Sequence, residues 1–253
     1  MTPPDSTGSA HSSEWSLGVD IGGTFTDVVL ADAAGAVFDA KRLTTPGRPV
    51  DGVLAAIDAV LEAASADPGE ITRLVHATTL ATNLVLERAG ATVAYLTTAG
   101  FGDLLVIGHD RRGDAGKYDL RYRKQPPLVP RSRTGELVER LDASGDVVTP
   151  LDEARARAEI ARVVGPEVEA VAICLLHAHG NPVHEQRAAE LVAEHAPGLP
   201  VLVSSGVWPE HRELPRANTT VVSAYVAPTV RRYLGELEER LRARGIRAGV
   251  QVM

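Results

Sequence analysis

One cysteine, Cys174, occurs in 253 residues, so no disulfide can form within the chain. Lys and Arg number 26 against 33 Asp and Glu, a formal net charge of −7. The basic residues are dispersed among acids, which argues against a nucleic-acid or membrane-surface partner. No apolar run approaches the roughly 20 residues that cross a bilayer. Met1 to Ser13 hold neither Lys nor Arg nor an apolar stretch, so they are no secretory signal; their Ser, Thr, Pro and Gly content reads as a disordered tail over 1–14. Two nucleotide-binding signatures are missing as well. There is no G-x-x-x-x-G-K-[ST] and no G-x-G-x-x-G opening a helix after a strand, which sets aside a P-loop NTPase and a dinucleotide fold. These absences leave a cytoplasmic protein as the expectation. At 44% hydrophobic, the chain is long enough for one large α/β domain or two joined ones.

What is present starts with three extended segments, Leu17 to Ile21, Thr26 to Ala31 and Val37 to Thr44, joined by turn chemistry at Gly22-Gly23 and at Asp32 to Gly35. Val53, Leu54, Ile57, Val60 and Leu61 then recur at helical spacing within 50–64. Ile71 to His76 returns to strand, Thr78 to Arg88 reads as helix and Thr92 to Thr97 as strand. The order β-β-β-α-β-α-β departs from a doubly wound fold, where strands and helices alternate from the start. It matches an α/β lobe of the actin/hexokinase-like (ribonuclease H-like) ATPase type, assigned to 15–100. Gly, Pro, Arg and Asp crowd 101–149, read as an inserted, loop-rich segment near a substrate. Regular structure resumes with a helix over 151–164, a strand over 168–176, a helix over 182–194 and a strand over 200–204, a second α/β portion at 150–210 with a parallel sheet. A long helix over about 218–244 dominates the last part, 211–253, and Gly249 to Met253 reads as the first half of a strand.

Asp20-Ile-Gly-Gly-Thr-Phe-Thr-Asp27 carries the most chemistry. Gly22 and Gly23 let backbone N–H groups approach phosphate oxygens, and Thr24 and Thr26 add hydroxyl donors. Asp20, at a strand end, suits Mg²⁺ held through water, because Mg²⁺ takes oxygen ligands and keeps much of its hydration; it can also serve as a base or cap the turn. Asp27 can face the phosphates or bond the turn backbone. The competing explanation for the loop is a tight hairpin whose glycines merely supply positive φ.

Five stretches make the chain similar to the hydantoinase A/5-oxoprolinase family: Gly18 to Asp27; His76-Ala-Thr-Thr-Leu-Ala-Thr-Asn83; Thr97 to Asp103; Cys174 to His177 with Asn181-Pro182 and His184-Glu185; and Ala217 to Val221 with Ala224-Tyr225. Two departures accompany them, Ala77 where the family usually has Gly, and His109 to Asp119 in place of the common form. Family members are about two or more times longer. The resemblance implies an ATP-dependent hydrolase acting on a small cyclic amide, with ATP and Mg²⁺ as cofactors. The amide oxygen is phosphorylated first, and water then opens the ring. It also implies a second lobe with its own phosphate loop and a hydantoinase B-type subunit or a fused C-terminal region, in an oligomer. An ATP-dependent ketone carboxylase subunit, a small-molecule kinase of the same fold and a non-catalytic truncated lobe are the alternatives.

His76, Thr78, Thr79 and Asn83 stand at a strand-to-helix junction, where helix amides favour anions, and are candidate substrate or phosphate contacts; one of the two threonines can equally be a helix N-cap. Arg111, beside Asp110 and Arg112, can clamp a substrate carboxylate or phosphate. His177, His179 and His184 imitate a zinc set, but Asn181 with Pro182 explains the stretch as a capped helix start. Cys174 sits in an apolar run and reads as a core thiol.

Overall fold

The computed structural model describes residues 14–45, 47–109 and 116–253. The described residues form two compact units, those within 14–83 with 230–253 and those within 84–229.

The first unit holds a five-stranded sheet in the order β11-β4-β1-β2-β3. β1 (Trp15–Ile21), β2 (Phe25–Asp32) and β3 (Val37–Leu43) form an antiparallel meander, β4 (Ile71–Thr78) pairs with β1 in parallel, and β11 (Val250–Val252) pairs with β4 in parallel. Strict alternation in β1 sends Trp15, Leu17, Val19 and Ile21 to one face. There they meet Val53, Leu54, Ile57, Val60 and Leu61 of α1 (Pro49–Ala64), together with Tyr233, Leu237 and Leu241 from the end of α7 (Glu213–Ala243). Pro49 starts α1 at a position where its missing N–H costs nothing, and Ser65 ends it in the left-handed conformation at φ 52°. The ion pairs of Asp51 with Arg240 and of Asp58 with Arg244 also lie in this unit.

The second unit is built on four parallel strands in the order β10-β9-β5-β6. β5 (Val93–Thr98) and β9 (Ala170–Cys174) are buried at every position, the continuous apolar reading of strands covered on both faces. One face packs on α4 (Glu153–Val163) and α5 (Val183–His195), the other on Ala217, Val221, Ala224 and Tyr225 of α7. β6 (Thr134–Leu137) and β10 (Val201–Val203) are the edges, and a small hairpin, β7 (Arg140–Leu141) with β8 (Val147–Thr149), follows β6. Short helices α2 (Leu80–Leu86), α3 (Leu104–Ile107) and α6 (Ser204–Val207) and the 3-10 turns Pro68–Glu70 and Arg131–Arg133 are the remaining elements among the described residues.

The expected strand over 92–97 exists, but as β5 in the second sheet and not in the first. The final strand over 250–252 takes the edge beside β4 in its place. The span 101–149, expected to be loop-rich, contributes the parallel edge strand β6; four residues with a central glycine are too few to show a period.

Candidate functional site

The mixed sheet of the first unit brings Asp20 to Asp27 and His76 to Asn83 to the same place. β1 and β4 run side by side with Asp20 opposite Ala77 and Ile21 opposite Thr78, so their carboxyl ends, where ligands bind in open α/β sheets, lie together. The oxygen of Ile21 accepts the Thr79 N–H at 3.3 Å and the Thr79 hydroxyl at 3.4 Å. A side chain on Gly23 would be 3.8 Å from Asn83 Nδ2, and that amide reaches the Thr79 hydroxyl at 3.5 Å. Thr78 accepts the Leu80 N–H at 3.1 Å, an N-capping contact for α2.

The turn between β1 and β2 does not use its glycines for left-handed backbone, since neither Gly22 nor Gly23 is among the positive-φ residues. A Cβ at Gly22 would stand 3.2 Å from the Phe25 oxygen, which is crowded, whereas one at Gly23 meets nothing nearer than 3.8 Å. Folding alone therefore gives no reason for the second glycine. Thr44, which no sequence signal singled out, shapes the loop. Its N–H donates to Thr24 O at 2.9 Å and its hydroxyl to Gly22 O at 2.8 Å. With that proton committed, the Thr26 hydroxyl donates to Thr44 Oγ1 at 3.2 Å. Two loop carbonyls are thus turned inward, and the N–H groups of the exposed Gly23 and Thr24 have no partner among the described residues.

The carboxylates sit on the sheet face opposite the core. Asp20 pairs across the ladder with Asp27, and Asp27 with Lys41. Like charges directly opposite destabilise a sheet. Lys41 compensates Asp27 through bonds of 2.8 and 3.0 Å, while the exposed Asp20 has no hydrogen-bond or ion-pair partner among the described residues.

Two candidates point the other way. Thr26 is fully buried and occupied by Thr44. His76 is fully buried too, with Nε2 2.7 Å from the Tyr233 hydroxyl and Nδ1 3.3 Å from Val19 O; burial holds its pKa below 6.5. Arg111, with Asp110 and Arg112, lies outside the described residues.

In the second unit His184 is buried against Glu139 at 2.7 Å, and Glu139 also accepts from Thr98. Asn181 Oδ1 accepts the Val183 N–H at 3.1 Å, so the side chain caps α5 from one position earlier than expected, with Pro182 at the boundary. Cys174 is buried and its thiol pushed up to about 11, mainly by burial. Among the described residues no helix is long and apolar enough to cross a membrane.

Residues 16–196 match the family described as the hydantoinase/oxoprolinase N-terminal region, and the chain belongs to that family. The caprolactamase subunit alpha of Pseudomonas jessenii is 36% identical over 232 residues, which cover 89% of this chain and 33% of that protein. Among solved structures, nucleotide-free acetone carboxylase superposes with a TM-score of 0.85 at 29% identity, over 95% of this chain and 36% of the other. The ATP-dependent caprolactamase of Pseudomonas jessenii superposes at 0.82 and 34% identity, over 93% and 35%. The chain spans about a third of the length of these relatives.

Proposed function

We propose that this member of the hydantoinase/oxoprolinase family carries one lobe of an actin/hexokinase-type ATPase in its first unit, and serves the ATP-dependent opening of a cyclic amide. The order β3-β2-β1-β4-β11, antiparallel then parallel, supports the lobe. One observation carries the phosphate reading: an exposed glycine that the backbone does not require, beside a carboxylate with no partner among the described residues, at the carboxyl ends of parallel strands.

The N–H groups of Gly23 and Thr24 and the Thr24 hydroxyl receive phosphate oxygens. Thr44 and Thr26 hold the loop in shape from behind, and His76 supports the strand from the core. Thr79 and Asn83 present a hydroxyl and an amide on the other side. The donor set fits Mg²⁺, because Asp20 is an exposed carboxylate with no partner among the described residues, whereas Asp27 is held by Lys41, and Asp20 would hold the ion through water. When bound, Mg²⁺ supplies positive charge against the phosphates, and ATP the phosphoryl group that activates a carbonyl toward attack.

The likeness to caprolactamase favours a cyclic amide as substrate, and the relative's standing as an alpha subunit favours a hydantoinase B-type subunit or fused region as partner. The superposition on acetone carboxylase favours a second reading, a ketone carboxylase subunit. Phosphate release by the chain with its partner subunit, measured against caprolactam, 5-oxoproline, hydantoin and acetone with bicarbonate, separates them. Opened ring with free phosphate is expected. A carboxylated ketone establishes the second reading, and a stable phosphorylated product would make the protein a kinase.

A further inference from the structure

We infer that the second unit contains a separate binding site for a small oxyanion, at the carboxyl end of its parallel sheet. A cavity of about 260 Å³ opens there, among the segments that follow β5, β6, β9 and β10. Arg140, His177, His179, His211, Arg212 and Arg216 line it, three guanidiniums and three imidazoles around a space the size of a small metabolite. The three guanidiniums would repel a metal ion and attract an anion.

Arg216 is 1% exposed, and its hydrogen bonds run to neutral acceptors: Ser204 Oγ at 2.9 Å, Glu210 O at 3.0 Å, Leu175 O at 2.6 Å and His179 Nδ1 at 3.4 Å. The buried carboxylate of Glu185 is reached only through Ser204, whose hydroxyl donates to it at 2.5 Å. Among the described residues neither Arg140, Arg212 nor Arg216 forms an ion pair. A buried guanidinium without a carboxylate is costly, and here it lies in the wall of a cavity that admits one. The Arg140 guanidinium carbon lies over the Phe101 ring at 5.6 Å, a cation–π contact between two residues that both line the cavity. Glu213 also lines the cavity and limits the anion to one that the three arginines outweigh.

The imidazoles form one group, with His179 and His211 centroids 4.6 Å apart and His177 and His179 6.3 Å apart. Two of the non-glycine residues held at positive φ among the described residues, His177 at 57° and Arg212 at 70°, belong to this cavity. Such strain persists where the surroundings fix it and gathers at ligand sites. Guanidinium forks match carboxylate and phosphate alike, so the ligand class is a small oxyanion of either kind. This site is independent of the phosphate loop in the first unit.

The test is a titration of the 253-residue chain with sodium phosphate and, separately, sodium acetate, at ionic strength held constant with sodium chloride. Ring proton resonances of His177, His179 and His211 are followed by NMR. Saturable shifts of all three are expected, with a dissociation constant in the millimolar range or tighter. Arg140→Gln and Arg212→Gln, both away from the buried core, should each weaken binding about tenfold, as for one lost charge-assisted contact. Arg231→Gln on α7 should leave it unchanged. Saturation by phosphate alone assigns a phosphate-type ligand, and saturation by acetate, alone or with phosphate, a carboxylate. No saturation by either up to about 50 mM, or equal weakening by Arg231→Gln, overturns the inference.

Discussion

Neutralising Asp20 should leave the fold intact, because its side chain is exposed and bonds nothing among the described residues. Asp20→Asn is expected to melt like the wild type, while ATP turnover in an assembly containing the chain falls about 10²-fold or more, the scale for a group placing charge at a transferring phosphate. Gly23→Ala separates folding from function in a second way. The added methyl has room, so stability should change by less than about 0.5 kcal/mol, yet it stands where phosphate oxygens are to approach and turnover should drop. Gly22→Ala meets the Phe25 oxygen at 3.2 Å and should lower the melting temperature as well. Calorimetry beside a phosphate-release assay reads all three, and a Gly23→Ala protein with full turnover would contradict the assigned role. The strand end and turn that carry Asp20 and the glycines were legible in the sequence because a strand, a turn and a carboxylate sit within eight residues. Thr26 and His76 were expected to face a ligand, but strand parity decides otherwise: Thr26 alternates with the buried Val28 and Leu30, and His76 shares its face with Leu74. Thr44 left no local signal, because its contacts arise only when β3 folds back on β2.

Elements repeat the lesson on a larger scale. Helices α1, α4 and α5 and most strands were readable from period and caps to within a few residues. Partnership was not. β5 follows β4 by a short helix in sequence yet pairs with β9 and β6, and β11 reaches β4 from the far end of the chain. Nothing local encodes pairing of strands more than 170 residues apart. α7 starts at Glu213, earlier than the expected 218, because Pro215 falls in the first turn, where a missing N–H is tolerated. The link between β4 and α7 through His76 and Tyr233 has a pH signature. With the folded pKa of His76 below 6.5, the unfolded chain takes up a proton first as pH falls, so stability present above 6.5 declines below it. The melting temperature should drop from about pH 7.5 to 5, and His76→Gln should flatten that slope. His179, whose pKa is also lowered, chiefly by burial, leaves a residual slope. A dependence identical in His76→Gln would contradict a neutral, buried His76.

At the scale of the whole molecule, the proposed phosphate loop is a single exposed turn at the carboxyl end of β1. Capturing a nucleotide costs on the order of 4–15 kcal/mol in lost freedom, and a single loop of backbone donors offsets little more than that. ATP should bind this chain at about millimolar strength, near −4 kcal/mol, without steady hydrolysis. The measurement that tests the phosphate loop most directly is an NMR titration of the 253-residue chain with Mg²⁺ and ATP, followed at backbone amides. Shifts should concentrate at Gly22, Gly23, Thr24, Thr79 and Asn83 and fade in Asp20→Asn. Shifts absent from that loop, or unchanged by Asp20→Asn, would contradict the assignment of Asp20 to Asp27 as the phosphate site.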